Sequence, residues 1–211
     1  MLIDHSNNHI FISGMTRSGK TYFAVRALAE VPEGVLFFNL QNAEVTPRYI
    51  TLSADDVEFS KLVELLRSGA KIDLRFPRYW KIKQIMLVIK YVSDEMLKAG
   101  FTEQKPIYLM YDECQTLEKE ARNAVRLVAT RGLYLGCRCV FITQRPALAD
   151  LTFYTQAAEQ YIFQLGKGER EYFKQKGIDY DLCCRIWAEK GKHSYIYTDG
   201  WKIEGRKAIK K

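Results

Sequence analysis

The 211 residues, 47% hydrophobic and 27% charged, fit one α/β domain over residues 1–211 with a full-sized core, and not a disordered or fibrous chain. No apolar run reaches the roughly 18–20 residues that a membrane-spanning helix needs; the longest, Ile82 to Val92, is broken by Lys83, Gln84 and Lys90. Met1-Leu2-Ile3-Asp4 lacks the basic and apolar regions of a signal peptide, so a cytoplasmic location is expected, while a net charge of +7 favours polyanionic partners.

In chain order, His9 to Ser13 reads as a buried strand running straight into Gly14. Thr21 to Ala29 reads as a helix stopped near Pro32 and Gly34. Val35 to Asn39 is a second buried strand, and Tyr49 to Leu52 a short one after the turn at Pro47. Ser53 followed by Ala54-Asp55-Asp56 has the look of a helix start, with acids near the positive end of the dipole, and that helix would run to Arg67. Lys71 to Phe76 alternates polar and apolar residues, the period of a half-buried strand. Trp80 to Lys98 carries apolar residues at helical spacing and ends at Gly100. Ile107 to Tyr111 is a strand that delivers Asp112-Glu113, and Leu117 to Ala129 is helical. Cys137 to Thr143 is a buried strand closed by Gln144-Arg145-Pro146.

A short helix near Leu148 to Tyr154, a strand at Gln160 to Leu165 and helices around Lys167–Gln175 and Tyr180–Ala188 follow. His193 to Thr198 and Trp201 to Glu204, around Asp199-Gly200, read as a closing β-hairpin. The alternation of strands and helices implies a three-layer fold with a mainly parallel central sheet. The basic tail Lys202, Arg206, Lys207, Lys210 and Lys211 reads equally as a solvated end or a nucleic-acid contact. Of the cysteines, Cys114, Cys137, Cys139, Cys183 and Cys184, the odd number argues against a disulfide framework. The Cys137-x-Cys139 and Cys183-Cys184 spacings are not those of a zinc site, so all five are expected to act as small apolar residues.

Gly14-Met15-Thr16-Arg17-Ser18-Gly19-Lys20-Thr21 matches G-x-x-x-x-G-K-[ST] at every position. The glycines let backbone N–H groups converge on phosphate oxygens, and the helix that follows adds its positive end. Lys20 is suited to reach the β- and γ-phosphates of ATP, and the Thr21 hydroxyl to bind Mg²⁺. Chance produces the pattern in roughly one chain of this length per hundred, and here it lies between a predicted strand and a predicted helix. The strand ending Asp112-Glu113 supplies a second Mg²⁺ ligand, Asp112, and a carboxylate, Glu113, to polarise the attacking water. Alone, a strand ending in acids is common. Gln144, at the tip of the next strand, is placed to sense the γ-phosphate or to orient water; the alternative is a turn fixed by Pro146. Tyr79, Trp80, Lys81 and Lys83 combine aromatic and basic side chains as a DNA-facing surface does, or simply begin an amphipathic helix.

The set Gly14–Thr21, Asp112-Glu113 and Thr143-Gln144-Arg145-Pro146 resembles the FtsK–HerA superfamily of DNA-pumping P-loop ATPases, which have a RecA-like fold. The small size resembles the genome-packaging ATPases of icosahedral viruses with an internal membrane. The resemblance runs from about His9 to Leu165. It implies an ATP-hydrolysing, double-stranded DNA translocase that packages a viral genome in the host cytoplasm. It further implies a homo-oligomeric ring at a procapsid vertex, with Lys20, Glu113 and Gln144 catalytic and Mg²⁺ on Thr21 and Asp112. The superfamily also places an arginine in trans, a little before a glycine that precedes the sensor strand. Gly136 matches that glycine; Leu133 occupies the expected arginine spacing, which makes Arg131 the first candidate and Arg138 and Arg145 the next. Alternatives are a phage-assembly or conjugation ATPase, a small-molecule or nucleotide kinase, and a nucleotide-binding scaffold.

Overall fold

The computed structural model describes residues 8–191, 193–199 and 203–206. The chain begins with β1 (His9–Ser13), α1 (Lys20–Ala29), β2 (Gly34–Asn39), β3 (Tyr49–Ser53), α2 (Phe59–Arg67) and β4 (Lys71–Arg75). It continues with α3 (Ile82–Met96), β5 (Ile107–Tyr111), α4 (Lys119–Arg131), β6 (Cys137–Thr143) and α5 (Leu151–Gln156). The last elements are β7 (Ala157–Phe163), α6 (Arg170–Gln175), α7 (Tyr180–Lys190), β8 (Tyr195–Thr198) and β9 (Ile203–Arg206).

These strands form one sheet in the order β3-β4-β2-β5-β6-β1-β7-β8-β9. The seven from β3 to β7 are parallel, and β8 and β9 join antiparallel at one side. The strands β1, β2, β5 and β6 are buried along their whole length, as continuous apolar runs between two helical layers must be. Alternation sends Val35, Phe37, Met110 and Val140 to the face covered by α1 and Leu36, Phe38, Leu109 and Phe141 to the face covered by α2–α5. On that second face the rings of Phe38, Tyr111, Phe141 and Phe153 stack in succession at 4.9, 6.0 and 4.5 Å, tying three strands to α5. A smaller core joins Phe173, Tyr180, Cys183 and Trp187 of α6 and α7 to Ile162 and Ile196 of β7 and β8.

Three expectations change. Ser53 does not start a helix: β3 includes it, its hydroxyl bonds Asp55, and the ladder continues through Ala54 N to Arg75 O at 2.9 Å. The helix starts only after Glu58. The second change concerns β4, which is not half-buried. It lies inside the sheet between β3 and β2, and its polar residues are there because they are satisfied. Asp73 accepts from Asn39 Nδ2 (2.8 Å), Thr51 Oγ1 (3.1 Å) and Arg75 Nε (2.7 Å), and Lys71 Nζ donates to the carbonyls of Glu33 and Gly69 at 2.7 and 2.6 Å. Third, Cys184 is exposed while the other four cysteines are buried.

The closing hairpin is present as β8 and β9, starting at Tyr195 rather than His193; Trp201, Lys202, Lys207, Lys210 and Lys211 lie outside the described residues. Arg206 pairs with Glu204 at 3.1 Å and lies 4.2 Å from the centre of the Tyr197 ring. Among the described residues no helix is long and apolar enough to cross a membrane.

Candidate functional site

Gly14 to Thr21 connects β1 to α1 at the edge of the sheet where the parallel strands end. Both neighbours of β1 grip the connection: Gly14 N donates to Thr143 O of β6 at 3.1 Å, and Met15 N donates to Gln164 O just beyond β7 at 2.8 Å. A Cβ on Gly14 would stand 2.5 Å from Ser18 Oγ and 2.6 Å from Phe163 Cβ, so only glycine fits. Gly19 has φ +100°, in the left-handed region that favours glycine. The first N–H groups of α1, at Lys20 and Thr21, have no helical partner, and the hydroxyl of Ser18 is buried without one. A phosphate supplies the acceptors that these donors lack.

The strand order places β6 between β1 and β5, so Gln144, at the end of β6, is held between the loop and the two acids after β5. Thr16 Oγ1 donates to Gln144 Oε1 at 2.5 Å, and Gln144 Nε2 donates to Glu113 Oε1. Gln115 Nε2 donates to Glu113 Oε2 at 2.5 Å and accepts through Oε1 from Thr143 Oγ1 at 2.6 Å. Both carboxylate oxygens of Glu113 are thus fixed, and its backbone is itself left-handed, with φ 51°, an uncommon conformation for a residue with a side chain. Lys20 Nζ lies 3.8 Å from Glu113 Oε1, both side chains about 95% buried.

Two acids share this one lysine. Burial, with the Glu113 charge adding to it, pushes the Asp112 carboxyl up to about 6, against the pull of Lys20. Burial lowers Lys20, opposed by Glu113 and Asp112. Thr21 Oγ1 stands 3.4 Å from Asp112 Oδ1, a long contact between a hydroxyl and a carboxylate that a cation can bridge. The donor set therefore fits Mg²⁺ arriving with a nucleotide phosphate.

The structure brings together Thr16, Lys20, Thr21, Asp112, Glu113 and Gln144; Met15 and Arg17 are exposed on the outer side of the loop. Arg131 is not part of this cluster. It ends α4, which leads back to the start of β6, and the nearby Ala129 O is bonded by His9 at the start of β1 (2.9 Å). Arg131 is therefore exposed at the opposite edge of the sheet. Arg138 is buried, with Nη1 3.6 Å from Glu33 and 3.2 Å from the Tyr108 hydroxyl, which removes it as a group that reaches another molecule. Arg145 is exposed beside Gln144. Trp80 is half-buried against Phe76, while Tyr79, Lys81 and Lys83 are exposed.

Two residues at the site were not expected from the sequence. Gln115 was legible in principle, as a second amide two positions after Glu113. His193 was not: it sits 175 positions from Ser18, whose carbonyl it meets at 3.0 Å.

The sheet order and the loop together define a P-loop nucleotide-binding fold. No family model matches the chain, and no curated protein matches its sequence. Solved structures do match its fold. The genome packaging NTPase of Sulfolobus turreted icosahedral virus 2 in complex with ATP-gammaS is 15% identical, with a TM-score of 0.64 over 98% of this chain and 100% of that one. The DNA-packaging ATPase of Sulfolobus turreted icosahedral virus is 14% identical, with a TM-score of 0.59 over 98% and 100%. EssC (ATPases 2 and 3) of Geobacillus thermodenitrificans is 13% identical, with a TM-score of 0.57 over 96% of this chain and 39% of that one. At these identities the likeness establishes the P-loop ATPase fold, and it extends past Leu165 through the C-terminal elements.

Proposed function

We propose that the chain is an Mg²⁺-dependent ATPase that translocates double-stranded DNA and packages a viral genome into a preformed capsid. The observation that carries this reading is the unbroken linkage Thr16–Gln144–Glu113–Lys20. It joins a phosphate-binding loop to a carboxylate suited to water activation, as a hydrolase requires and a passive nucleotide binder does not. Lys20 and the loop N–H groups hold the β- and γ-phosphates; Thr21 and Asp112 hold the metal; Glu113 orients and deprotonates water; Gln144 reports the γ-phosphate through Thr16. Mg²⁺, when bound, screens the charge that builds on the phosphates. With nucleotide in place, Glu113 exchanges its bonds to Gln144 and Lys20 for one to water.

Arg131, exposed at the far edge of the sheet from its own loop, is the first candidate for an arginine that serves a neighbour's nucleotide in a homo-oligomeric ring at a capsid vertex in the host cytoplasm. Arg145 is the second candidate for that role. Exposed Tyr79, Lys81 and Lys83 are candidates for tracking the DNA backbone.

The test is the ATPase rate with and without double-stranded DNA over a salt series. DNA is expected to stimulate turnover, and the stimulation to fade as salt rises. Absence of stimulation together with phosphate transfer to a small acceptor would instead establish a kinase.

A further inference from the structure

The connection between α7 and β8 crosses back over the phosphate-binding loop. Its turn is closed by Ser194, whose N and Oγ both donate to Gly191 O at 3.2 and 2.7 Å and which is itself buried. The turn places His193, with φ 71°, so that Nδ1 lies 3.0 Å from Ser18 O. A carbonyl only accepts, so Nδ1 carries the proton. Gly19 makes room for the ring: a Cβ there would stand 3.3 Å from His193 Nδ1. The peptide between Ser18 and Gly19 is planar and trans, so its C=O and N–H point in opposite directions. Holding Ser18 O outward on the imidazole therefore turns Gly19 N–H inward, toward the space that the other loop donors surround. The loop backbone is also gripped at Gly14 by β6 and at Met15 by Gln164 beyond β7; His193 adds a grip at the Ser18–Gly19 peptide, one residue before Lys20.

We propose that His193 is a positioning residue of the nucleotide site, which aims the Gly19 N–H at phosphate by holding Ser18 O and so makes nucleotide affinity depend on the α7–β8 connection. The inference rests on the ATP-binding reading above.

The experiment measures the Kd of ATP-gammaS with Mg²⁺, together with KM and kcat for ATP, in the wild type and three variants. His193→Ala removes the ring, His193→Phe keeps its bulk without the donor, and His193→Asn keeps a donor on a shorter side chain. Loss of one such hydrogen bond is expected to raise Kd and KM roughly five- to tenfold in the Ala and Phe variants. kcat at saturation should stay within about twofold, and His193→Asn should recover most of the affinity. Wild-type affinity in both His193→Ala and His193→Phe would overturn the inference, as would loss in Ala but not Phe, because bulk alone would then suffice. A parallel fall of kcat in all three variants, with no recovery in Asn, would also overturn it. A wild-type protein that does not bind ATP-gammaS would instead remove the nucleotide reading beneath it.

Discussion

At the edge where the parallel strands begin, His9 and Arg138 are buried and hydrogen-bonded, and half-buried Glu33 lies beside Arg138. His9 donates through Nε2 to Ala129 O and accepts at Nδ1 from Cys139 N at 2.9 and 2.8 Å, and burial lowers its pKa to about 4, so it is neutral. Arg138 faces Glu33. At the edge where the strands end, Asp112 and Glu113 stand side by side with Lys20 as the cation between them. The first arrangement balances its charges within the chain. The second carries an excess of negative charge that burial makes costly until a cation arrives. Buried charge alone thus marks neither edge as functional; the unbalanced charge beside unsatisfied backbone donors does.

The sharpest break of this contrast is Lys20→Ala, which leaves two carboxylates and no cation. ATP turnover is expected to fall by more than roughly a thousandfold; activity within tenfold of the wild type would move the site elsewhere. Glu113→Gln comes next. Its turnover should drop about a hundredfold or more while ATP-gammaS still binds, and equal loss of binding would make Glu113 a phosphate-site residue rather than a base. On the other edge, Arg138→Ala removes the partner of half-buried Glu33 and the donor to Tyr108 and should cost about 2 kcal/mol of stability in a denaturant titration. The kcat of the folded fraction should be unchanged, since Arg138 lies near the start of β6, at the edge of the sheet away from the loop.

The smallest effect is the pH dependence of Asp112. Its native pKa of about 6 exceeds the ordinary 3.8, so folding favours the protonated acid. The stability it contributes is full below about pH 4 and is lost as pH rises through about 6. Without nucleotide, Asp112→Asn should therefore raise Tm over the wild type by a few degrees at pH 7 and by little at pH 4. A difference that does not grow between those pH values would place Asp112 outside the crowded pair. Mg²⁺–nucleotide affinity should run the other way in the wild type and weaken below about pH 6.

Much of the site was legible because its chemistry is local in sequence. Gly14 to Thr21 is contiguous, and Asp112-Glu113 end a strand whose apolar run is unmistakable. The strands β1, β5 and β6 were placed at the bounds the structure gives them, since a strand buried on both faces announces itself by continuous hydrophobicity. Two kinds of residue escaped. Asp73 and Lys71 made β4 look half-exposed because alternation records polarity, not whether a distant Asn39 or Glu33 carbonyl will satisfy it. His193 escaped because its partner is a backbone carbonyl, which leaves no mark in sequence at either end. The start of α2 was missed for a third reason: Ser53 and Asp55 are as good a turn as a cap, and the ladder to β4 decided between them.

The grips on the phosphate-binding loop also bear on how the protein matures. Residues 14–21 leave the ribosome well before Thr143, Gln164 and His193, which hold the backbone of the loop. A nascent chain that stops short of Thr143 contains the whole sequence motif and none of those three partners. Closing contacts across 130 to 175 residues is slow, so the loop takes its final conformation late in folding. A nucleotide bound as proposed would then act on completed molecules, stabilising them by mass action, and would offer no help to chains that lack those contacts.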